Sequence, residues 1–294
     1  MRELSNPIRG AGIRDAGLLP DARPALCRGA ASLNHKFCII VAFFLEGSYN
    51  REMAELTQQH TPDHMIGILG GMGPEATLDL YRNIINLTPA TKDQDHIRVL
   101  IYSNPKIPDR TRAIEAKGDS PLPSLIEAAK LLEGGGAGII AMPCNTAHYF
   151  LPQMQMKVSI PILDMIEETC GKIRETLPEA RTVGLIAAYG TVHCGVYRQP
   201  LARAGIELLL PDDEDQARIR EAIGKVKAGM QDRSTRETFH AVGRRLVTAG
   251  ARAVILGCTE VPLAFEPSEV NYPTVNPTRI LAEAAVDWAL GKRE

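Results

Sequence analysis

Two cysteines stand in the same setting, each at the end of an apolar run. Cys144 follows Ile139-Ile140-Ala141-Met142-Pro143 and precedes Asn145 and Thr146. Cys258 follows Val254-Ile255-Leu256-Gly257 and precedes Thr259 and Glu260. Each run has the composition of a buried strand, and the polar residues after it can open a helix. A helix N-terminus stabilises a thiolate, so either cysteine could be a nucleophile or a base. A single such site suggests a nucleophile, with His148 or His193 as its partner base. His148, four residues after Cys144, is reachable on one helical face. That reading leaves the second cysteine unused. Two thiols lining one cleft suit stereoinversion instead: one thiolate removes a proton from carbon, and the opposite thiol returns a proton to the other face. A metal site would need more ligands than either segment offers. None of the six cysteines forms a CxxC or a Cys/His cluster with zinc spacing. Taken singly, each cysteine is more often a packing residue than a reactive one.

Three further segments carry groups that could hold a ligand. Gly67-Ile68-Leu69-Gly70-Gly71-Met72-Gly73-Pro74 runs from a strand into a helix, but its glycines do not follow the GxGxxG order. The next strand ends in Ser103-Asn104-Pro105, with no acidic residue to hold a ribose. A tight turn is the plain reading. A small carboxylate held near Met72 by backbone N–H groups and the helix dipole is the functional one. The Pro-rich segment Asn104-Pro105-Lys106-Ile107-Pro108-Asp109-Arg110-Thr111 is an ordinary turn unless it delivers Arg110, whose planar fork suits a carboxylate. Lys227 reads by default as a solvated helical lysine.

These residues need elements to position them. From Met65 onward, apolar strands alternate with amphipathic helices, the rhythm of parallel sheets covered on both faces. Strands are expected over 65–69, 99–102, 138–142 and 160–163, and helices from Pro74, over 123–133 and over 165–176. The rhythm restarts with strands at 182–187, 206–210 and 253–256 and helices at 196–204, 215–229 and 235–249. A last strand at 274–275 and a helix at 278–290 close the chain and are expected to return to the first half. The expected fold is α/β: two similar open parallel-sheet, Rossmann-like domains related by pseudo-symmetry. Residues 65–163 plus 276–294 form the first and residues 164–275 the second. Ligands of such sheets bind beyond the carboxyl ends of the strands, where both cysteines lie, so the active site is expected in the cleft between the domains.

Residues 1–64 differ in character, being rich in Arg, Pro, Gly and Ala without sustained periodicity. They read as a disordered extension or as the product of a start placed too early, with Met53 and Met65 as alternative starts. Their apolar run at 37–45 is too short to span a bilayer and lies too far from Met1 for a signal peptide. The net charge of −2 favours neither nucleic acid nor an anionic membrane. Six cysteines in 294 residues do not make a disulfide framework, and the expected location is cytoplasmic.

Taken together, Gly70-Gly71-Met72-Gly73-Pro74, the segment 104–111, Pro143-Cys144-Asn145-Thr146-Ala147-His148 and Gly257-Cys258-Thr259-Glu260 resemble the cofactor-independent aspartate/glutamate racemases, above all their aspartate racemase branch. The resemblance runs from Met65 to about Leu290. It implies an isomerase that interconverts L- and D-aspartate without pyridoxal phosphate or any other cofactor, commonly as a homodimer. It puts the acid/base roles on Cys144 and Cys258. Contacts to the α-carboxylate and ammonium fall to Asn145, Thr146 and Thr259, with Met72 nearby, and grip of the side-chain carboxylate falls to Arg110 and Lys227. Other members of the family imply glutamate or broader specificity. A non-catalytic amino-acid-binding relative, or a dicarboxylate cis–trans isomerase using one cysteine, is the more distant implication. Two departures stand out: His193 and Cys194 occupy positions where relatives often carry small or hydroxyl residues, and Asn276 stands where they often carry Asp.

Overall fold

The computed structural model of the chain describes residues 64–293. The expectations for residues 1–63, including the apolar run at 37–45 and the alternative start at Met53, lie outside the described residues. The first half opens with β1 (Ile66–Gly70), buried at every position, and α1 (Pro74–Leu87). Pro74 and Glu75 suit the first turn of α1 because that turn needs no proline N–H and favours negative charge. Next come β2 (Val99–Ser103), α2 (Arg110–Ile114), α3 (Leu122–Gly134) and β3 (Ile139–Ala141). A 3₁₀ turn over Asn145–Phe150 leads into α4 (Leu151–Gln155), and α5 (Met165–Thr176) ends the half. The second half runs β4 (Thr182–Ile186), α6 (Tyr189–Cys194), α7 (Arg198–Arg203), β5 (Glu207–Leu209) and α8 (Asp213–Lys227). It closes with α9 (Arg233–Thr248), β6 (Val254–Leu256), α10 (Val261–Ala264), β7 (Thr274–Val275) and α11 (Pro277–Ala289).

Among the described residues the strands form two parallel sheets, ordered β2-β1-β3 and β5-β4-β6-β7. The order β2-β1-β3 recurs as β5-β4-β6, which is the expected internal repeat. Cys144 and Cys258 follow the equivalent strands β3 and β6.

Two local expectations are corrected, and one short helix is added. Residues 160–163 make only an isolated bridge, Ile140 to Ile162, because Pro161 has no N–H to extend a ladder. The helix expected over 196–204 is α7, and it is preceded by α6, a short helix that no expectation covered and that ends at Gly195 with φ +67°. The last strand does not return to the first half, since β7 pairs with β6.

The helices after the fourth position of each half cross over. Ile166, Cys170 and Ile173 of α5 pack with Val183, Leu185 and Ile255 of the second sheet. Leu281, Ala282 and Ala285 of α11 pack with Ile66, Ile68 and Ile139 of the first. Gly138 lets the Trp288 indole of α11 lie directly on the backbone before β3, where a Cβ would stand 2.7 Å from the ring. This exchange fixes the two sheets against one another and so fixes the cleft between the cysteines.

Candidate active site

The ends of β3 and β6 build the core of the site. Pro143 stops the β3 ladder, and Cys144 follows in extended conformation before the 3₁₀ turn. Gly257 after β6 lets the chain pass close to Leu185, where a Cβ would lie 2.4 Å from its Cδ1. Cys144 and Cys258 are both free thiols, buried, and line one cleft. Met72, Arg110, Asn145, Thr146, Lys227 and Thr259 line the same cleft, so all eight residues singled out in the sequence come together. The cavity between them is small, about 30 Å³.

The residue that sequence reasoning passed over as a site residue is Glu260. It is buried, accepts a hydrogen bond from Cys258 Sγ at 2.9 Å on Oε2, and turns Oε1 toward Lys227 Nζ at 3.8 Å. Oε1 has no hydrogen-bond partner among the described residues and lies against Gly73, across the cleft in the first half. The only sequence signal was its place two residues after a strand-end cysteine, which reads equally well as a helix-start charge.

Electrostatics distinguish Cys258. Burial pushes its thiol well above the ordinary range, the Glu260 carboxylate pushes the same way, and Lys227 opposes both. Lys227, the last residue of α8, has its ammonium disfavoured by burial. Glu260, and the two cysteines in their thiolate form, outweigh that effect and raise its pKa. The helices after the cysteines are a six-residue 3₁₀ turn and the four-residue α10, too short for a large dipole effect. Side chains, not helix ends, therefore tune the Cys258 thiol.

Arg110 opens α2 because Asp109 caps that helix, accepting the Arg112 N–H at 2.8 Å. Its Nη1 donates to the carbonyls of Ile107 and Pro108 and its Nη2 reaches that of Met72 at 3.5 Å, while Nε is buried without a partner among the described residues. The guanidinium fork thus rests on backbone carbonyls. The Gly71 N–H, a candidate anion donor, is taken by Thr77 Oγ1 at 2.9 Å. Asn145 Oδ1 accepts from Tyr197 Oη at 2.5 Å, and Thr146 and Thr191 share a hydrogen bond of 2.7 Å.

The histidine-base reading finds no support in this geometry. His148 Nε2 accepts the Met165 N–H at 3.1 Å, so Nδ1 carries the proton and donates to Cys144 O at 2.9 Å. Burial holds its pKa low, and the ring staples the Cys144 loop to the start of α5. His193 is exposed and stacked on Tyr189. Asn276 has a structural post: its Oδ1 caps α11, accepting from the N–H groups of Thr278 and Arg279. Among the described residues, no three His, Cys, Asp or Glu side chains gather as a metal site would require.

A two-lobed parallel α/β fold with a cysteine at the same strand end of each lobe, both in one small polar cleft, is the architecture of a racemase. Residues 69–285 match the Asp/Glu/hydantoin racemase family, and the chain belongs to that family. It is 28% identical over 230 residues to the broad specificity amino-acid racemase RacX of Bacillus subtilis, a match covering 77% of this chain and 98% of that one. The structure of an aspartate racemase from Picrophilus torridus is similar, with TM-score 0.69 and 31% identity over 77% of this chain and 94% of that one. A putative Asp/Glu racemase from Yersinia pestis follows with TM-score 0.64 and 26% identity, over 77% and 99% of the two chains.

Proposed function

We propose that this protein interconverts L- and D-aspartate by a two-base proton transfer at the α-carbon. The observation that carries the reading is the meeting of Cys144 and Cys258, from equivalent ends of two repeated sheets, in one cleft with Arg110 and Lys227. In the proposed reaction the thiolate of one cysteine takes the α-proton and becomes a thiol. The opposite thiol gives its proton to the other face of the carbanion and becomes a thiolate. The reverse reaction exchanges the roles. Glu260 and burial keep Cys258 protonated at rest, so Cys258 is the resting proton donor.

The α-proton is a very weak acid, and the reading uses no cofactor to delocalise the charge. Asn145, Thr146 and Thr259 hold the α-carboxylate and ammonium, with Met72 packed beside them. Donors already aimed at the carboxylate stabilise charge as it develops. Arg110 and Lys227 hold the second carboxylate. Aspartate incubated with enzyme in heavy water is expected to yield both enantiomers with deuterium at the α-carbon. Cys144→Ala and Cys258→Ala are each expected to lower the rate by about 10³-fold, within the range for a lost acid/base group.

A broader amino-acid specificity is favoured by one observation. Lys227 already faces Glu260, and the Arg110 fork already rests on carbonyls. A second carboxylate must displace these partners, so neutral amino acids compete on closer terms. The name of the Bacillus subtilis relative points the same way. Arg110→Ala separates the two readings, because it weakens only acidic substrates. We further take the enzyme to be a cytoplasmic homodimer. The four described cysteines are all unpaired, as a reducing compartment keeps them.

A further inference from the structure

Tyr197 lies outside the cleft wall, yet its hydroxyl reaches a residue of that wall. It sits just before α7 in the second half, 1% exposed, packed among Ile166, Val183, Leu185 and Leu201. Its Oη donates to Oδ1 of Asn145 in the first half, at 2.5 Å. Asn145 is 2% exposed and lines the cleft beside Cys144, and its Nδ2 is buried with no partner among the described residues. A buried amide donor without a partner is costly, and a ligand acceptor is what relieves it.

A side-chain amide can turn over, exchanging its oxygen and nitrogen. The Tyr197 hydroxyl anchors the amide on one side, and acting as donor it takes Oδ1 and leaves Nδ2 facing the cleft. The segment that carries Tyr197 is itself held against the first half. Thr191 bonds Thr146 at 2.7 Å, and a Cβ at Gly190 would lie 2.6 Å from Thr111 Oγ1 and 2.9 Å from Thr146 Cγ2. Residues 190–197 thus form a bracket over the loop that bears Cys144, Asn145 and Thr146.

We infer that Tyr197 is a positioning residue for substrate binding: its hydroxyl locks the Asn145 amide with Nδ2 presented to the substrate carboxylate. This rests on the proposed amino-acid site, and it identifies what keeps one of that site's donors in place. Binding should therefore suffer when the hydroxyl is lost, while the two thiols keep their chemistry.

The test measures KM and kcat for Tyr197→Phe, Asn145→Ala and the double variant. Affinity for the tightest-binding of aspartate, glutamate and alanine is measured alongside by calorimetry, which needs no turnover. Tyr197→Phe is expected to weaken binding and raise KM about tenfold, with kcat changed less than about threefold, from one unsatisfied buried acceptor. Asn145→Ala should do the same, and the double variant should be no worse than Asn145→Ala alone. Asn145→Asp keeps the acceptor for Tyr197 but replaces the donor, so it should keep wild-type Tm and lose affinity. Additive losses in the double variant, unchanged affinity in Asn145→Asp, or a Tyr197→Phe protein with lower Tm but wild-type affinity would overturn the role. Should Tyr197→Phe fail to fold, Asn145→Asp alone decides. An active site that binds amino acids without racemising them would sink the proposed reaction and leave the Tyr197 role to be judged on affinity.

Discussion

Burial raises the pKa of the Cys258 thiol most, and Glu260 and Lys227 are the charged side chains that act on it next. The carboxylate raises the thiol's pKa and the ammonium lowers it. In the proposed reaction, the direction in which Cys258 serves as base should speed up with pH as the thiolate fraction grows. Glu260→Gln removes the negative neighbour, so that rising limb should move to lower pH. Lys227→Met removes the positive one and should move it to higher pH. Profiles of kcat/KM taken separately for the L and D substrates read both shifts. A pair of profiles unmoved by either change would detach Cys258 from the chemistry. Much of this residue-scale picture was legible in the chain, because strand-end cysteines followed by Thr define their own surroundings. Glu260 was not, because its contacts with Lys227 and Gly73 depend on segments far away in sequence.

At the scale of elements, short connections do the aligning. Gly190 lets α6 approach the first half so closely that a methyl group has no room. Gly190→Ala is expected to cost about 1–3 kcal/mol, as overpacking does, and to lower activity by parting Thr191 from Thr146. Denaturant unfolding and kinetics check the two effects. Asn276→Ala removes the α11 cap and should cost about 1 kcal/mol with kcat unchanged. His148 is buried neutral, its folded pKa depressed by burial. Unfolding lets it take a proton, so the stability it supports is present above about pH 6.5 and is lost as pH falls below that. His148→Gln should flatten the fall in Tm between pH 7 and 5. The strand and helix alternation announced itself through periodicity. The short helix α6 before Gly195 and the bridge at Pro161 did not, because six residues are too few to show a period and an apolar run does not reveal where a ladder ends. The helix that Asp109 starts at Arg110 was not read either, because segment 104–111 has the prolines of a turn.

For the whole molecule, the exchange of α5 and α11 ties the lobes into one folding unit. Calorimetric unfolding is expected to show one transition for both lobes, and two separated transitions would contradict that coupling. The repeat of β2-β1-β3 as β5-β4-β6 was visible in the sequence because both copies end in cysteine. The helix exchange was half visible: the return of the last helix could be read, whereas β7 staying with β6 is a matter of pairing that composition does not encode. The outer face of α1 exposes Leu78, Tyr81 and Ile85, and Ile101 is exposed on the neighbouring edge strand. These suit the proposed homodimer, and light scattering should give twice the chain mass. The central claim is that two thiols exchange roles at one carbon, and chiral chromatography with mass detection of aspartate turned over in heavy water tests it most directly. Wild-type enzyme should produce the opposite enantiomer with one deuterium, and neither Cys144→Ala nor Cys258→Ala should produce it at an appreciable rate. Racemisation at wild-type rate by either variant, or no inversion of aspartate or any neutral amino acid by the wild type, would contradict it.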